Sequence, residues 1–157
     1  MANKYLAGKK GTNDIFNDVS TIMGSPIADE TIDFGTFVKY ATAGGEDNKV
    51  KKVSTSTDIV LGVAEATGSA TDLDTKKYIA GDSLNIIREG ELYLPVDPGA
   101  TVKINRDSKL GISANGKLVA FTDPLKIIGF EGRSSTVVTP AQALNGETAL
   151  IYFKLIK

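Results

Sequence analysis

Residues 109–121 have the sequence KLGISANGKLVAF, and this stretch predicts a β-hairpin. Asn115 and Gly116 are the turn signal, because both residue types tolerate the positive φ that a tight hairpin turn requires. Apolar residues lie on both sides of the turn, from Ile112 before it to residues 118–121 after it. The chain therefore contains at least one pair of neighbouring antiparallel strands.

The chain from Ile27 onward repeats this alternation of short apolar segments and turns. In the longest extended segment, residues 83–96, Gly90 predicts a bulge or a bend. Many short strands separated by Gly-rich turns predict an all-β domain, mainly an antiparallel β-barrel or sandwich. The predicted strands span residues 34–41, 50–54, 59–66, 83–96, 102–104, 109–112, 118–121, 125–130 and 148–156.

One short helical turn is predicted near the C-terminus, at residues 140–145. Thr139 is a suitable N-cap, Pro140 suits the first helical position, and Gly146 can end the turn. The strand that follows alternates between apolar and polar side chains, and its apolar positions predict a row that faces the core: Ala149, Ile151, Phe153 and Leu155.

Residues 1–26 differ in composition from the rest and predict an N-terminal arm in front of a β domain of residues 27–157. The arm is polar, and its few apolar residues share one face of a helix of about ten residues that Gly24 and Pro26 would end. A helix this short is marginal alone, so its apolar stripe must dock on its own domain or on a neighbouring subunit. The candidate contact residues of the arm are Tyr5, Leu6, Ile15, Phe16, Val19, Ile22 and Met23.

Composition limits the chemistry available to the chain. Its 157 residues include no His, no Cys and no Trp, so the imidazole and thiolate groups of most nucleophilic and zinc sites are missing. A formal net charge of −1 offers no field that would recruit nucleic acid, and no long apolar run predicts a membrane span. We therefore expect no catalysis, no cofactor or metal, and no binding to nucleic acid or membranes.

Three patterns resemble chemical motifs, but turns and exposed strands explain them better. Residues 111–117 nearly match a phosphate-binding loop, yet the final Ser or Thr is missing and β segments flank the pattern. Asp72 and Asp74 have the spacing that opens a calcium loop, without its glycine and its closing Glu. Glu89 and Glu91 point the same way from one strand, as paired catalytic carboxylates would, but so do the side chains of any solvent-exposed strand face.

Five short motifs follow one another within residues 33–102, in a resemblance that covers residues 30–155: DFGTFV at 33–38, IVLGVA at 59–64, AGDSLNI at 80–86, GELYLPV at 90–96 and GATV at 99–102. Their order resembles the small β-barrel cement, or decoration, proteins that stabilise the heads of tailed bacteriophages. The resemblance implies a homotrimer on the outer surface of the capsid, with the major capsid protein as its partner. The arm residues named above would then contact the capsid or a neighbouring subunit.

The residues alone leave two other functions open. One is a β-sandwich binding module on a virion or cell surface that recognises a glycan or a host protein. The other is a different phage assembly part, such as a tail-tube subunit. The resemblance favours a structural protein of the virion, and the absence of a signal-peptide pattern predicts synthesis in the host cytoplasm.

Overall fold

The computed structural model describes residues 6–11, 20–21, 26–42, 48–67 and 74–155. In these residues the chain forms thirteen short β-strands and one α-helix, so the predicted all-β fold is confirmed. The elements are β1 Ser20–Thr21, β2 Ile27–Ala28, β3 Ile32–Asp33, β4 Phe37–Tyr40, β5 Lys49–Lys52, β6 Gly62–Ala64, β7 Lys77–Tyr78, β8 Ile86–Pro95, β9 Leu110–Ser113, β10 Leu118–Ala120, β11 Lys126–Phe130, β12 Gly132–Ser134, α1 Pro140–Leu144 and β13 Thr148–Lys154.

Eight strands form the main sheet, in the order β12-β13-β8-β6-β4-β5-β2 with β1 paired to β8. β8 is its longest strand, and it pairs antiparallel with the whole of β13, from Thr148 opposite Pro95 to Lys154 opposite Glu89. Two smaller sheets, β10-β9-β11 and β3-β7, complete the fold. Within the described residues the path of the main sheet does not return to its first strand, so this sheet is open and is not a closed barrel.

Two clusters of buried apolar side chains join these sheets. In the larger one, the Phe37 ring of the main sheet lies 5.0 Å from Phe130 of the three-stranded sheet. In the smaller one, Tyr78 is fully buried, and its ring lies 5.1 Å from that of Phe34. In β13, the predicted core-facing row is confirmed by the complete burial of Ala149, Ile151 and Phe153.

The hairpin predicted around Asn115 and Gly116 joins β9 to β10. The amide of Ser113 donates to the Lys117 carbonyl at 2.9 Å, and the amide of Gly116 donates to the Ser113 carbonyl at 3.0 Å. The loop therefore has three residues, and Gly116 closes it with a φ of +70°. The predicted helical turn is also present as α1, because Thr139 and Gln142 form a reciprocal capping box.

Two local predictions differ from the structure. Residues 102–104 form no strand, and only Ile104 makes an isolated bridge, with Val138. Gly90 stays in register with Phe153 of β13 and has a φ of +145°, so no bulge lies at Gly90 in that pair, and the register irregularity of β8 falls between Ile87 and Glu89, opposite β1. Strand assignments of this kind depend on which backbone groups find partners across the sheet, and sequence periodicity does not report them.

The predicted N-terminal helix does not continue through Ser20 and Thr21. These two residues form β1, which pairs with Glu89 and Ile87 of β8. The pairing overrides the helical periodicity, because tertiary context outweighs the small free-energy differences of helix propensity. The remaining positions of that helix lie outside the described residues, as do the candidate contacts Tyr5, Ile15, Phe16, Val19, Ile22 and Met23.

Candidate functional site

Residues 6–11, which we call the N-terminal strip, lie along β8: residues 6–8 form a turn, and Lys10 makes an isolated antiparallel bridge with Leu92. The amide of Gly8 donates to the Tyr93 carbonyl at 2.7 Å, and the amide of Gly11 donates to the Glu91 carbonyl at 2.8 Å. The Tyr93 amide also donates to the Lys9 carbonyl at 2.9 Å, so bonds run in both directions between the two segments, as they do in an antiparallel pair. The described part of the predicted arm therefore docks on its own domain.

Gly8 sets how closely the strip approaches the domain. Its φ is +74°, and a Cβ atom there would lie 2.8 Å from the Gly35 nitrogen and 3.0 Å from the Ala66 nitrogen. Backbone atoms at such distances cannot move aside, so only glycine fits. Ala7 is buried beside it, and Leu6, the one predicted contact residue within the described part of the chain, is half-buried.

The chain leaves β8 and returns to it at nearly the same place. Gly11 is bonded to Glu91, and Ser20 pairs with Glu89, two residues away along the same strand. Both ends of segment 12–19 are thus held on one small area of the domain.

An open groove of about 750 Å³ lies on the face of β8, β13 and β12 next to this area. Arg133, Tyr152 and Glu91 occupy one cross-strand row of three neighbouring strands. Side chains in such a row lie on one face, with neighbours about 5 Å apart. The groove combines carboxylates, cations and aromatic rings, and it is lined by Glu91, Glu131, Gly132, Arg133, Ser135, Tyr152, Phe153 and Lys154.

The two glutamates of β8 have different surroundings. Glu89 accepts a hydrogen bond from the Tyr152 hydroxyl at 3.3 Å, and the Lys154 Nζ lies 4.0 Å from its carboxylate. Glu91 is only 4% exposed, and its carboxylate lies against Gly11, at the place where any larger residue would carry its Cβ atom. The expectation of an exposed strand face is therefore wrong for Glu91. No sequence signal links Glu91 to Gly11, since 80 positions separate them.

The stretch that resembles a phosphate-binding loop serves a structural role instead. Its residues form β9 and the hairpin turn, and the Lys117 Nζ lies 3.2 Å from an Asp33 carboxylate oxygen and 2.9 Å from the Thr36 hydroxyl. Burial lowers the pKa of Lys117, and the nearby Asp33 carboxylate only partly offsets this effect.

The acidic pattern at Asp72 and Asp74 gains no support as a metal site. Asp74 is exposed, and Asp72 lies outside the described residues. In the described part of the chain, no group of three or more carboxylates is arranged to hold a metal ion.

The described residues form an open β-sheet scaffold with a docked N-terminal strip and a surface groove of mixed charge. The model of the family described as "Structural cement protein (E217 gp24/Pam3 gp6)" matches residues 2–154. The chain belongs to this family of phage cement proteins, which confirms the predicted resemblance, and its role is structural. No curated protein matches the chain. Among the described residues, no helix is long and apolar enough to cross a membrane.

Proposed function

We propose that this chain binds the outer surface of an assembled phage capsid, contacts the major capsid protein there and stabilises the shell without catalysis. The family match over residues 2–154 is the observation that carries this proposal. A protein that binds the assembled lattice and not its separated subunits stabilises the lattice by mass action. Such a role needs a rigid scaffold with exposed contact surfaces, and it requires no reactive side chain. The chain is made in the host cytoplasm and then joins the virion.

The N-terminal arm supplies part of the contact in this proposal. Its base is bonded to β8, and the groove of residues 91, 131–135 and 152–154 opens beside it. An arm held by a rigid sheet loses less conformational entropy on binding than a free tail would. The apolar residues proposed to contact the capsid or a neighbouring subunit are Tyr5, Leu6, Ile15, Phe16, Val19, Ile22 and Met23.

A homotrimer is the proposed oligomeric state. Closed rotational symmetry multiplies a modest contact, because each further subunit binds at a high effective concentration once the first is bound. Sedimentation equilibrium of the purified chain tests this state directly. We expect a mass of three times the 16.6 kDa of one chain, and a monomer at all concentrations would contradict it.

Co-sedimentation with undecorated capsids of the source phage tests the capsid role. We expect saturable pelleting at a constant ratio to the major capsid protein. A chain that stays in the supernatant at all concentrations would refute capsid binding.

The contribution of the arm is tested in the same assay with a matched pair of variants. Replacing Ile15, Phe16 and Val19 by serine should weaken pelleting, because it removes apolar area from the contact. Replacing the polar residues Thr12, Asn13 and Asn17 by serine is the control and should leave pelleting unchanged. Equal binding by both variants would show that the arm does not contact the capsid.

A further inference from the structure

The loop at residues 54–58 follows β5 and is closed by hydrogen bonds to one carboxylate. It belongs to a second surface, on β4 and β5, that is separate from the N-terminal strip. The amides of Ser54 and Thr55 donate to one carboxylate oxygen of Asp58 at 2.7 and 2.8 Å. The Thr55 hydroxyl and the Lys39 ammonium donate to the other oxygen at 2.9 and 2.6 Å. These four hydrogen bonds to one carboxylate join the start of the loop to its end and to Lys39 of β4.

The pKa of Asp58 reflects the same contacts. Partial burial alone would raise the pKa of this carboxyl group, but the hydrogen bonds from Lys39, Ser54 and Thr55 outweigh burial and hold it far below its ordinary range. The carboxylate therefore stays ionised, and the loop stays bonded, at any pH near neutrality.

Ile59 directly follows this loop and is the most exposed large apolar residue of the described chain, at 82%. Val60 packs against the larger core cluster and Leu61 is buried, so the backbone is held on both sides of Ile59. Single exposed apolar residues are common on protein surfaces. This one differs because a fixed loop presents it at the rim of a groove of about 510 Å³.

The groove beside Ile59 has an excess positive charge. Lys39 of β4 and Lys51 of β5 are directly opposite each other in the antiparallel register. Like charges in that position destabilise a sheet unless each has a partner. Asp58 neutralises Lys39 at 2.6 Å, whereas no carboxylate in the described part of the chain forms an ion pair with Lys51. The groove, which we call the Ile59 groove, is lined by Lys39, Tyr40, Ala41, Thr42, Lys51, Thr57, Asp58, Ile59 and Leu61.

We propose that the Ile59 groove docks a segment of the capsid protein that pairs a carboxylate with Lys51 and packs apolar side chains around Ile59. The partner chemistry follows from complementarity, since the groove presents Lys51, which forms no ion pair within the described residues, together with the exposed side chain of Ile59. This inference rests on the proposed capsid-binding function and assigns a second contact surface to it. It does not involve the N-terminal arm.

Binding isotherms from co-sedimentation with undecorated capsids of the source phage test this surface. Ile59→Ser should raise the apparent Kd about tenfold to a hundredfold, because it removes one buried aliphatic side chain from the contact. Leu144→Ser is the matched control, since Leu144 on α1 is also highly exposed, at 72%, and lies outside the groove. Circular dichroism melts establish that both variants remain folded, as expected for exposed positions.

The charge of the groove is tested with a second pair of variants at low and high salt. Salt screens the proposed ion pair between Lys51 and a carboxylate of the capsid protein. Lys51→Gln removes this ion pair, so it should weaken binding several-fold at low salt, and the remaining binding should depend less on salt. Lys103→Gln, which removes an exposed lysine elsewhere, should change neither.

The outcomes separate this inference from the proposed function. If the wild-type chain does not pellet, capsid binding is refuted, and the docking groove with it. If the wild-type chain pellets and Ile59→Ser pellets equally well, the groove is not a contact, although the capsid role stands. Equal losses in Ile59→Ser and Leu144→Ser would also overturn the inference, because they would reflect general surface apolarity.

Discussion

Replacing Gly116 with alanine tests how the three-stranded sheet is attached to the main sheet. Gly116 has a φ of +70°, and its carbonyl accepts a hydrogen bond from the Phe37 amide at 2.9 Å. An added Cβ atom would lie 2.6 Å from the Thr36 Cγ2 and 2.9 Å from the Phe37 carbonyl oxygen. The hairpin would have to move away from β4, and the buried Phe37 amide would lose its partner.

Two costs add up in this variant. A left-handed backbone conformation costs an alanine about 1–2 kcal/mol. A buried amide without a partner costs roughly 1–3 kcal/mol more. We therefore expect Gly116→Ala to lower the free energy of unfolding by about 2–5 kcal/mol in urea titrations with an unchanged slope.

Gly81→Ala is the matched control for this prediction. Gly81 also has a left-handed φ, of +97°, but nothing lies within 4 Å of the position that its Cβ atom would occupy. It should show only the backbone cost of about 1–2 kcal/mol. If the two variants lose the same stability, the close contact between the hairpin and β4 does not constrain the fold, and the reasoning is refuted.

Three further predictions concern stability. Ile151 is fully buried, so Ile151→Ala leaves a cavity and should lower the free energy of unfolding in urea titrations by about 2–5 kcal/mol. An effect near zero would mean that β13 presents its other face to the core. The pKa of Asp58 is lower in the folded chain than its unfolded-state value of about 4, so the ionised carboxylate stabilises the fold fully at pH values above about 4. The difference in unfolding free energy between wild type and Asp58→Asn should therefore shrink as the pH falls below about 4. A pH-independent difference between those two chains would contradict this. Because the pKa of Lys117 is lowered, the unfolded chain binds more protons there than the folded chain does, and wild type should gain stability relative to Lys117→Met as the pH rises toward about 10.4. Unfolding titrations at several alkaline pH values check this, and a relative loss of stability would show that Asp33 outweighs burial.

Local turn chemistry was the part of the fold that could be predicted best. Gly116 closes the predicted hairpin, although the loop has three residues, and Thr139 caps the predicted helical turn. Both features depend on backbone preferences of a few adjacent residues, which a sequence reports directly. The alternation in β13 was equally informative, because a strand with one buried face has a period of two.

The N-terminal region shows the limit of such patterns. Its apolar spacing predicted a helix, yet Ser20 and Thr21 pair with β8. The burial of Glu91 under Gly11 and the ion pair of Asp58 with Lys39 were equally hidden. These contacts join residues that are distant in sequence, and no local propensity encodes which strand edges remain open to receive them.

The sequence by itself therefore determined an all-β chain, its turns, its core-facing rows and its resemblance to phage cement proteins. The tertiary structure alone decided that the main sheet is open, that residues 6–11 dock on β8, and that Ile59 is exposed beside Lys51. The physical reason is that backbone conformation and burial periodicity are properties of neighbouring residues. Sheet order and surface complementarity arise only when distant segments compete for the same hydrogen-bonding edges and the same apolar area.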